Sequence, residues 1–361
     1  MDNKTIQNAR VVVLLATYNG ASYLKEQVDS LLEQTLSVEV LARDDGSRDA
    51  TMDILRSYDD VLLLNDIEGD DFTPDSPAAT FYQANYVRNF SILCEYALKH
   101  TDAEYIFFCD QDDVWHPDKV ELTVEAIRQV EDSEGKNFPV VVHTDLTVVD
   151  EKLTPLAQSF REFEGLPHPD EHGLSRALVQ NVATGCAMGF NRRLLSLMTP
   201  IPPEAVVHDF WFYIGAKLAG KTCYLNKALI DYRQHTGNSI GTISAKERFS
   251  YIKPYFYRSL LRFPINLKRT LHQAKALKRV VNGSGLKLSQ AQFSQLENMV
   301  TLDTMSPISR VRMLRQLFPG RRSIGERLYL SLLLLFLPFI SSGQSREKKE
   351  APGNQPRAPH I

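Results

Sequence analysis

Residues 11–16 read VVVLLA, an unbroken apolar run that stops at Thr17-Tyr18-Asn19-Gly20. A strand with one face in water alternates apolar and polar residues. A run with no polar position reads instead as a strand buried on both faces, which needs helices on each side of its sheet. The pattern recurs: residues 38–42 run into Arg43-Asp44-Asp45-Gly46-Ser47, and residues 105–109 into Asp110-Gln111-Asp112-Asp113. Shorter apolar stretches at 61–64 and 140–143 predict further strands. Between them the spacing becomes helical. Leu24, Val28, Leu31 and Leu32 mark 21–34, Asp49 is placed to cap 50–58, and helices are expected at 89–99 and from about Pro117. Alternating strands and helices predict an α/β fold with a mostly parallel, mixed sheet flanked by helices. Ligands of such sheets bind beyond the carboxyl ends of the strands, where the polar clusters fall.

Beyond residue 150 the pattern loosens. An aromatic-rich helix is expected at 208–218, and short strands at 222–225 and 228–232. From about 244 the chain reads as basic helices with breaks near Pro264, Gly283–Gly285 and Pro307. Residues 328–340 form a 13-residue stretch, apolar except for Ser331 and too short for the ~20 residues of a membrane span. Residues 66–79 are acidic and rich in turn formers, so a surface loop is expected. Residues 341–361 are expected to be disordered.

With 43% hydrophobic and 24% charged residues the chain is globular rather than fibrous or disordered. Its net charge of −3 hides a division: from residue 241 onward there are 21 Lys+Arg against 6 Asp+Glu, +15, which leaves −18 for the first 240 residues. Such asymmetry points to an anionic partner for the basic part. The expected division is therefore an acidic domain at 1–240, a basic helical region at 241–340 and a tail at 341–361. Met1 to Arg10 carries no apolar leader, and the four cysteines have no regular spacing. Cys94, Cys109 and Cys186 read as small core residues. Both features suit a cytoplasmic location.

Three clusters carry chemistry. Asp110, Asp112 and Asp113 crowd at the end of a buried strand. Like charges so close resist ionisation unless a cation compensates, and Mg²⁺ or Mn²⁺ is the hard-ligand choice; a solvated acidic turn is the plainer alternative. Asp44 and Asp45 can accept from a ribose hydroxyl or a base N–H, or simply form an Asx-turn. His208-Asp209 opens a helix and reads either as a general base or as a carboxylate favoured by the helix dipole. Two apparent motifs fail on context. Gly215 to Thr222 matches GxxxxGK[ST] but ends a helix instead of opening one, with Gly220 placed as its C-terminal cap. His168 and His172 flank Pro169, which argues against a helical metal site.

Taken in order, Leu14 to Gly20, Asp44-Asp45-Gly46-Ser47, Asp110 to Trp115, His208-Asp209 and Tyr232-Arg233-Gln234-His235 resemble family 2 glycosyltransferases, especially bacterial rhamnosyltransferases of surface polysaccharide assembly. The resemblance covers roughly 10–240 and rests on the ordered set. It implies a GT-A fold and inverting, metal-dependent transfer from a nucleotide-sugar, a dTDP- or UDP-sugar, to a saccharide or polyprenyl-diphosphate-linked acceptor. It places Ala16, Thr17 and Tyr18 along the nucleotide pocket and makes Asp44 the base-contacting carboxylate. Asp110 lies near the ribose, Asp112 and Asp110 hold Mg²⁺ or Mn²⁺ with His235 as a further metal contact, and Asp209 is the catalytic base. Thr184-Gly185-Cys186 resembles a loop closing on the acceptor side. The stretch Ala84 to Phe90 departs from the family in lacking a glycine before its Asn89-Phe90 pair, and the 66–79 loop is longer than expected.

Two rival readings use the same residues: a phosphohydrolase with Asp110 as nucleophile, and a non-catalytic nucleotide-sugar-binding protein at a membrane surface. No nucleic-acid module is recognisable. The basic region beside 328–340 is expected to dock peripherally on the anionic inner face of the cell membrane.

Overall fold

The computed structural model describes residues 10–67, 84–171, 173–235, 252–306, 308–310 and 312–313. Most of the 66–79 loop, His172, the 328–340 stretch and the 341–361 tail therefore lie outside the described residues.

Among the described residues, nine strands form one sheet. They are β1 (Val11–Thr17), β2 (Glu39–Asp44), β3 (Val61–Leu63), β4 (Tyr105–Cys109), β5 (Val114–Trp115), β6 (Val140–Val149), β7 (Pro155–Ala157), β8 (Met188–Asn191) and β9 (Lys221–Arg233). Their order is β3-β2-β1-β4-β8-β6-β9-β5, with β7 beside β6. The first four are mutually parallel, and β8 then runs antiparallel between β4 and β6. This is the mixed, helix-flanked α/β sheet expected from the sequence.

The apolar runs behave as double-sided strands. Val12 and Leu14 of β1 enter one core, and Val11, Val13 and Leu15 enter the other. The second core is closed by α1 (Leu24–Leu32), α2 (Thr51–Arg56) and α4 (Lys119–Glu134). The first is closed by α3 (Asn85–His100), α7 (Arg192–Met198) and α8 (His208–Ala219). Short helices α5 (Phe160–Glu164) and α6 (Leu174–Ala177) lie between them in sequence. Register then decides what meets at the strand ends. Thr17 is paired with Asp44, and Leu15 with Cys109, so the three polar clusters emerge side by side.

Several elements depart from the sequence reading for identifiable reasons. Strand β6 continues past His143 to Val149, because its polar residues find partners: Ser159 Oγ donates to Asp145 Oδ2 at 2.5 Å, and Leu146 N to Asp145 Oδ1 at 2.9 Å. The two short strands expected at 222–225 and 228–232 are one strand, β9. Its register against β6 jumps from Thr144↔Leu225 to Asp145↔Ala228, so Asn226 and Lys227 form a bulge. Val114 and Trp115, not foreseen as a strand, pair antiparallel with Asp231 and Ile230. That small pairing brings the Asp110–Asp113 segment to the end of β9.

Gly220 follows α8, and a Cβ there would sit 1.9 Å from the Pro139 carbonyl oxygen. Lys221 and Thr222 lie in β9, so the GxxxxGK[ST] match spans a helix end and a strand start, without a phosphate loop. Helix α9 (Ile252–Ser284) runs through Pro264, where a break was expected. Proline removes one backbone bond of the ladder, and the buried Leu267, Leu271, Ala274 and Leu277 hold the helix beyond it. The glycine break is observed, with Gly285 at φ +69°. Helix α10 (Gln290–Val300) starts with a capping box between Ser289 and Gln292. Leu267, Leu271, Leu296, Met299 and Leu302 belong to the same core as α8. Among the described residues, no helix is long and apolar enough to cross a membrane.

Candidate active site

The loop after β1 is fixed by side chains of the neighbouring strand ends. Tyr18 N donates to Gln111 Oε1 at 2.8 Å, and Gln111 Nε2 returns a bond to Tyr18 O at 3.0 Å. Asn19 N donates to Ser47 Oγ, and Gly20 N to Thr51 Oγ1. A Cβ at Gly20 would lie 2.3 Å from Gln111 Oε1, so any larger residue would displace the Gln111 side chain that holds Tyr18. The Tyr18 ring is left 54% exposed on a rigid backbone, an aromatic face available for stacking. Ala16 packs partly buried against the first core, and Thr17 is buried.

Asp44 is the organiser of its turn. Thr17 Oγ1 and Ser47 Oγ donate to Oδ1 at 2.9 and 2.5 Å, while the Gly46 and Ser47 amides donate to Oδ2 at 2.9 and 2.7 Å. A carboxylate offers about four acceptor positions, and those of Asp44 are filled from within the chain. Its neighbour Asp45 lies 3.7 Å from Arg43 and within electrostatic reach of Arg88, and burial pushes its carboxyl upward. Asp45 thus retains acceptor capacity beside the Tyr18 loop, a distinction that two adjacent aspartates do not reveal in sequence.

At the end of β4 the acidic loop is held unevenly. Asp112 Oδ2 lies 2.9 Å from His235 Nε2. Asp113 is buried; its Oδ1 accepts from Arg233 N at 3.1 Å, and its Oδ2 has no hydrogen-bond partner. Ligand atoms of Asp110, Asp113 and Cys186 lie within 4.8 Å of one another. Burial, then Asp112 and Asp209, pushes the Asp110 carboxyl to about 7. Asp113 is raised well above the usual carboxylate range by burial, then by Asp112 and Asp110. The buried Lys119 ammonium does not relieve this: it sits 3.1 Å from the Trp115 ring centroid without a hydrogen-bond partner, and burial lowers it to about 7. An oxygen-rich loop with an imidazole at its rim and an unsatisfied carboxylate oxygen behind it fits a hard divalent cation. Burial keeps the Cys186 thiol protonated, which makes it a poor ligand.

Asp209 opens α8. Its Oδ2 accepts from Gly185 N at 3.0 Å, and its Oδ1 from Asn181 Nδ2 at 3.1 Å and Phe210 N at 2.5 Å. These bonds and the helix dipole favour the anion, yet burial prevails and lifts the carboxyl to about 7. Asp209 is close enough to raise Asp110, so the two carboxylates interact electrostatically. The Thr184-Gly185-Cys186 segment packs directly on His208 and Asp209: a Cβ on Gly185 would meet His208 Nε2 at 2.8 Å and Asp209 Cβ at 3.3 Å. His208 itself is a wall. Its ring stacks on Phe90 at 3.8 Å, and burial lowers it to about 3, so it stays neutral and takes no proton.

Tyr86 of α3 stands edge-on to His208, with ring centroids 6.3 Å apart, and feels the charges of Asp209, of Arg269 of α9 and of Asp110. Neither Tyr86 nor Arg269 stood out in the sequence. Gln273 of α9, fully buried, accepts from Val206 N at 2.8 Å, just before His208-Asp209.

The structure thus brings together Thr17, Tyr18, Asp44, Asp110, Asp112, Asp209 and His235 at the carboxyl ends of β1, β2, β4 and β9 and the start of α8. The sequence model described as Glycosyl transferase family 2 matches residues 12–195, just over half of the 361-residue chain. An uncharacterized glycosyltransferase of Rickettsia typhi is 27% identical over 143 residues, 39% of this chain; the chain spans 38% of that relative's length. The dTDP-rhamnosyl transferase RfbG of Shigella flexneri is 22% identical over 254 residues, 68% of this chain and 81% of its own. Among solved structures, Staphylococcus aureus TarS 1–349 in complex with UDP-GlcNAc is similar over 97% of this chain and 95% of that chain, at 16% identity and a TM-score of 0.47.

Proposed function

The chain belongs to glycosyltransferase family 2, and from that premise we propose that it moves a sugar from a nucleotide-diphosphate donor to an acceptor hydroxyl by one inverting displacement. The observation that carries this reading is the placement of Asp209, held near neutrality within electrostatic reach of Asp110 in the acidic loop. Asp209 takes the proton of the acceptor hydroxyl. The hydroxyl oxygen bonds to the anomeric carbon, the bond to the diphosphate oxygen breaks, and the nucleoside diphosphate leaves with the electron pair. A base at about 7 is ionised often enough to accept a proton at physiological pH and basic enough to hold it.

On the donor side, Tyr18 and Asp45 face the base and ribose, and Asp44 keeps their turn in shape. Asp110, Asp112 and His235 would hold Mg²⁺ or Mn²⁺. A divalent cation bound there supplies positive charge to the departing diphosphate.

Similarity to the dTDP-rhamnosyl transferase of Shigella flexneri makes dTDP-rhamnose the first donor to try. On the acceptor side, Arg269 beside Tyr86 supplies a cation suited to a phosphate-bearing acceptor such as a polyprenyl-diphosphate-linked saccharide. Membrane docking belongs to the same proposal. Lys275, Lys278 and Arg279 are already paired with Asp303, Glu297 and Glu204. Attraction to an anionic leaflet, ~1 kcal/mol per well-placed cation, therefore has to come from other basic residues of 241–340. Deleting 323–361 should abolish sedimentation with anionic vesicles, and unchanged sedimentation would refute docking through that segment.

A donor screen with dTDP- and UDP-sugars, in Mn²⁺ and in Mg²⁺, tests the reaction, with product anomericity read by NMR. Transfer with inversion is expected. Retention of configuration, or nucleotide binding without transfer across donors and lipid-linked acceptors, would overturn it. Replacing Arg269 by alanine should raise the acceptor KM and leave the donor KM unchanged.

A further inference from the structure

Arg233 lies 2% exposed at the end of β9, a position where a charged side chain survives only with full compensation. The compensation is specific. Its Nε donates to the Asp112 carbonyl at 2.8 Å, its Nη1 to the Glu151 carbonyl at 2.6 Å, and its Nη2 to the Glu26 carboxylate. Its guanidinium carbon stands 4.6 Å from the centroid of the Tyr23 ring, which also contacts the His235 ring at 4.7 Å. Its backbone amide donates to Asp113 Oδ1. One residue therefore touches the main chain of Asp112, the side chain of Asp113, the turn after β6 and the helix that follows the Tyr18 loop. Two residues further on, His235 meets the Asp112 carboxylate.

We propose that Arg233 is the positioning residue of the acidic loop: its guanidinium holds the Asp112 main chain and its amide holds the Asp113 side chain, so that Asp110, Asp112 and His235 are presented together to a divalent cation. The proposal rests on the functional reading above for what the loop binds. Arg233 acts only through these residues and touches neither donor nor acceptor. The planar fork is what the place demands, because three acceptors lie in different directions around one buried group. A lysine reaches one of them with a point charge and cannot bridge the rest.

The test is Mn²⁺ binding to the full chain, followed by electron paramagnetic resonance of the free ion in the absence of donor, beside thermal melting without metal. Arg233→Lys is expected to weaken Mn²⁺ binding about 10- to 100-fold, the usual cost of losing an outer-shell partner. Turnover should recover as Mn²⁺ is raised, whereas lost stability alone would not be rescued in that way. Glu26→Gln releases one arm at a side chain that is 58% exposed, so the fold is not at risk, and should weaken binding about threefold. A lower melting temperature with unchanged Mn²⁺ affinity in both variants would reduce Arg233 to a structural residue and overturn the proposal, while leaving the functional reading in place. If the wild-type chain binds no Mn²⁺, the cation reading of the loop and the role of Arg233 fall together.

Discussion

Replacing Asp209 by asparagine separates its proposed role as base from its place in the fold. The carboxylate accepts three hydrogen bonds, from Gly185 N, Asn181 Nδ2 and Phe210 N. An amide offers one oxygen, so an NH₂ group must face at least one of these donors. That costs about 1–3 kcal/mol for an unsatisfied buried group. A second effect has the opposite sign. The folded-state carboxyl sits at about 7, above its ordinary value. A raised acid stabilises the fold while protonated, and that contribution is lost as pH rises from about 4 through about 7. The amide never ionises, so the variant is expected to be less stable than wild type at pH 4 and much closer to it at pH 8. Catalysis moves one way only. Losing a positioned general base typically costs about 10²–10⁴ in rate, or about 3–5 kcal/mol of barrier. Initial rates across pH 5 to 9, with melts at pH 4 and 8, measure both effects. Wild-type kcat/KM should climb with pH and level off above about 7 as Asp209 loses its proton. The variant should lack that limb. More than a tenth of wild-type turnover in the variant at pH 8, or a flat wild-type profile between pH 6 and 8, would refute the assignment of Asp209 as base.

Gly185→Ala drives a methyl to 2.8 Å from His208 Nε2 and 3.3 Å from Asp209 Cβ, so a loss of about 1–3 kcal/mol in stability and a fall in kcat are expected from melts and initial rates. Gly20→Ala pushes the Gln111 side chain off Tyr18, and should raise the donor KM more than it lowers the melting temperature. Because burial and its acidic neighbours raise Asp110 to about 7, its contribution to stability is lost as pH rises through about 7, and Asp113 is raised in the same direction; saturating Mn²⁺ should therefore raise the melting temperature more at pH 8 than at pH 5, and a pH-independent shift would argue against these ligands. Chelation with EDTA should abolish transfer, and added Mn²⁺ or Mg²⁺ should restore it.

The strand-end geography was legible because it depends on local pattern. Three apolar runs, each cut off by polar residues, place Thr17, Asp44 and Asp110 at strand ends, and the register of β1 with β2 and β4 then sets those ends side by side. What sequence could not convey is how acceptors are allotted among neighbours. Asp44 and Asp45 are chemically identical in a string of letters, yet one is saturated by four donors and the other is not. His208 looked like a partner for Asp209, but stacking on Phe90 turns it into an apolar wall. The bulge at Asn226 and Lys227 looked like a gap between strands because two polar residues interrupt an apolar pattern, although the backbone pairing resumes beyond them. Arg269 and Gln273 lie on a helix that read as an appendage. Their place beside the site follows from tertiary packing of Leu267 and Leu271, which periodicity alone does not orient.

The reach of Arg233 back to Asp113 across 120 residues sets an order of events during synthesis. At about 5–20 residues per second, the ribosome delivers the clamp roughly 6–24 s after the acidic loop has emerged. Over that interval the nascent chain carries three crowded carboxylates with neither their arginine nor their histidine. A chain halted just short of β9 would contain every residue matched to the family, yet it would be a weak cation binder. Mn²⁺ affinity measured on stalled chains of increasing length should thus rise in one step as Arg233 to His235 clear the exit tunnel, which makes the cation a reporter of when this enzyme finishes folding.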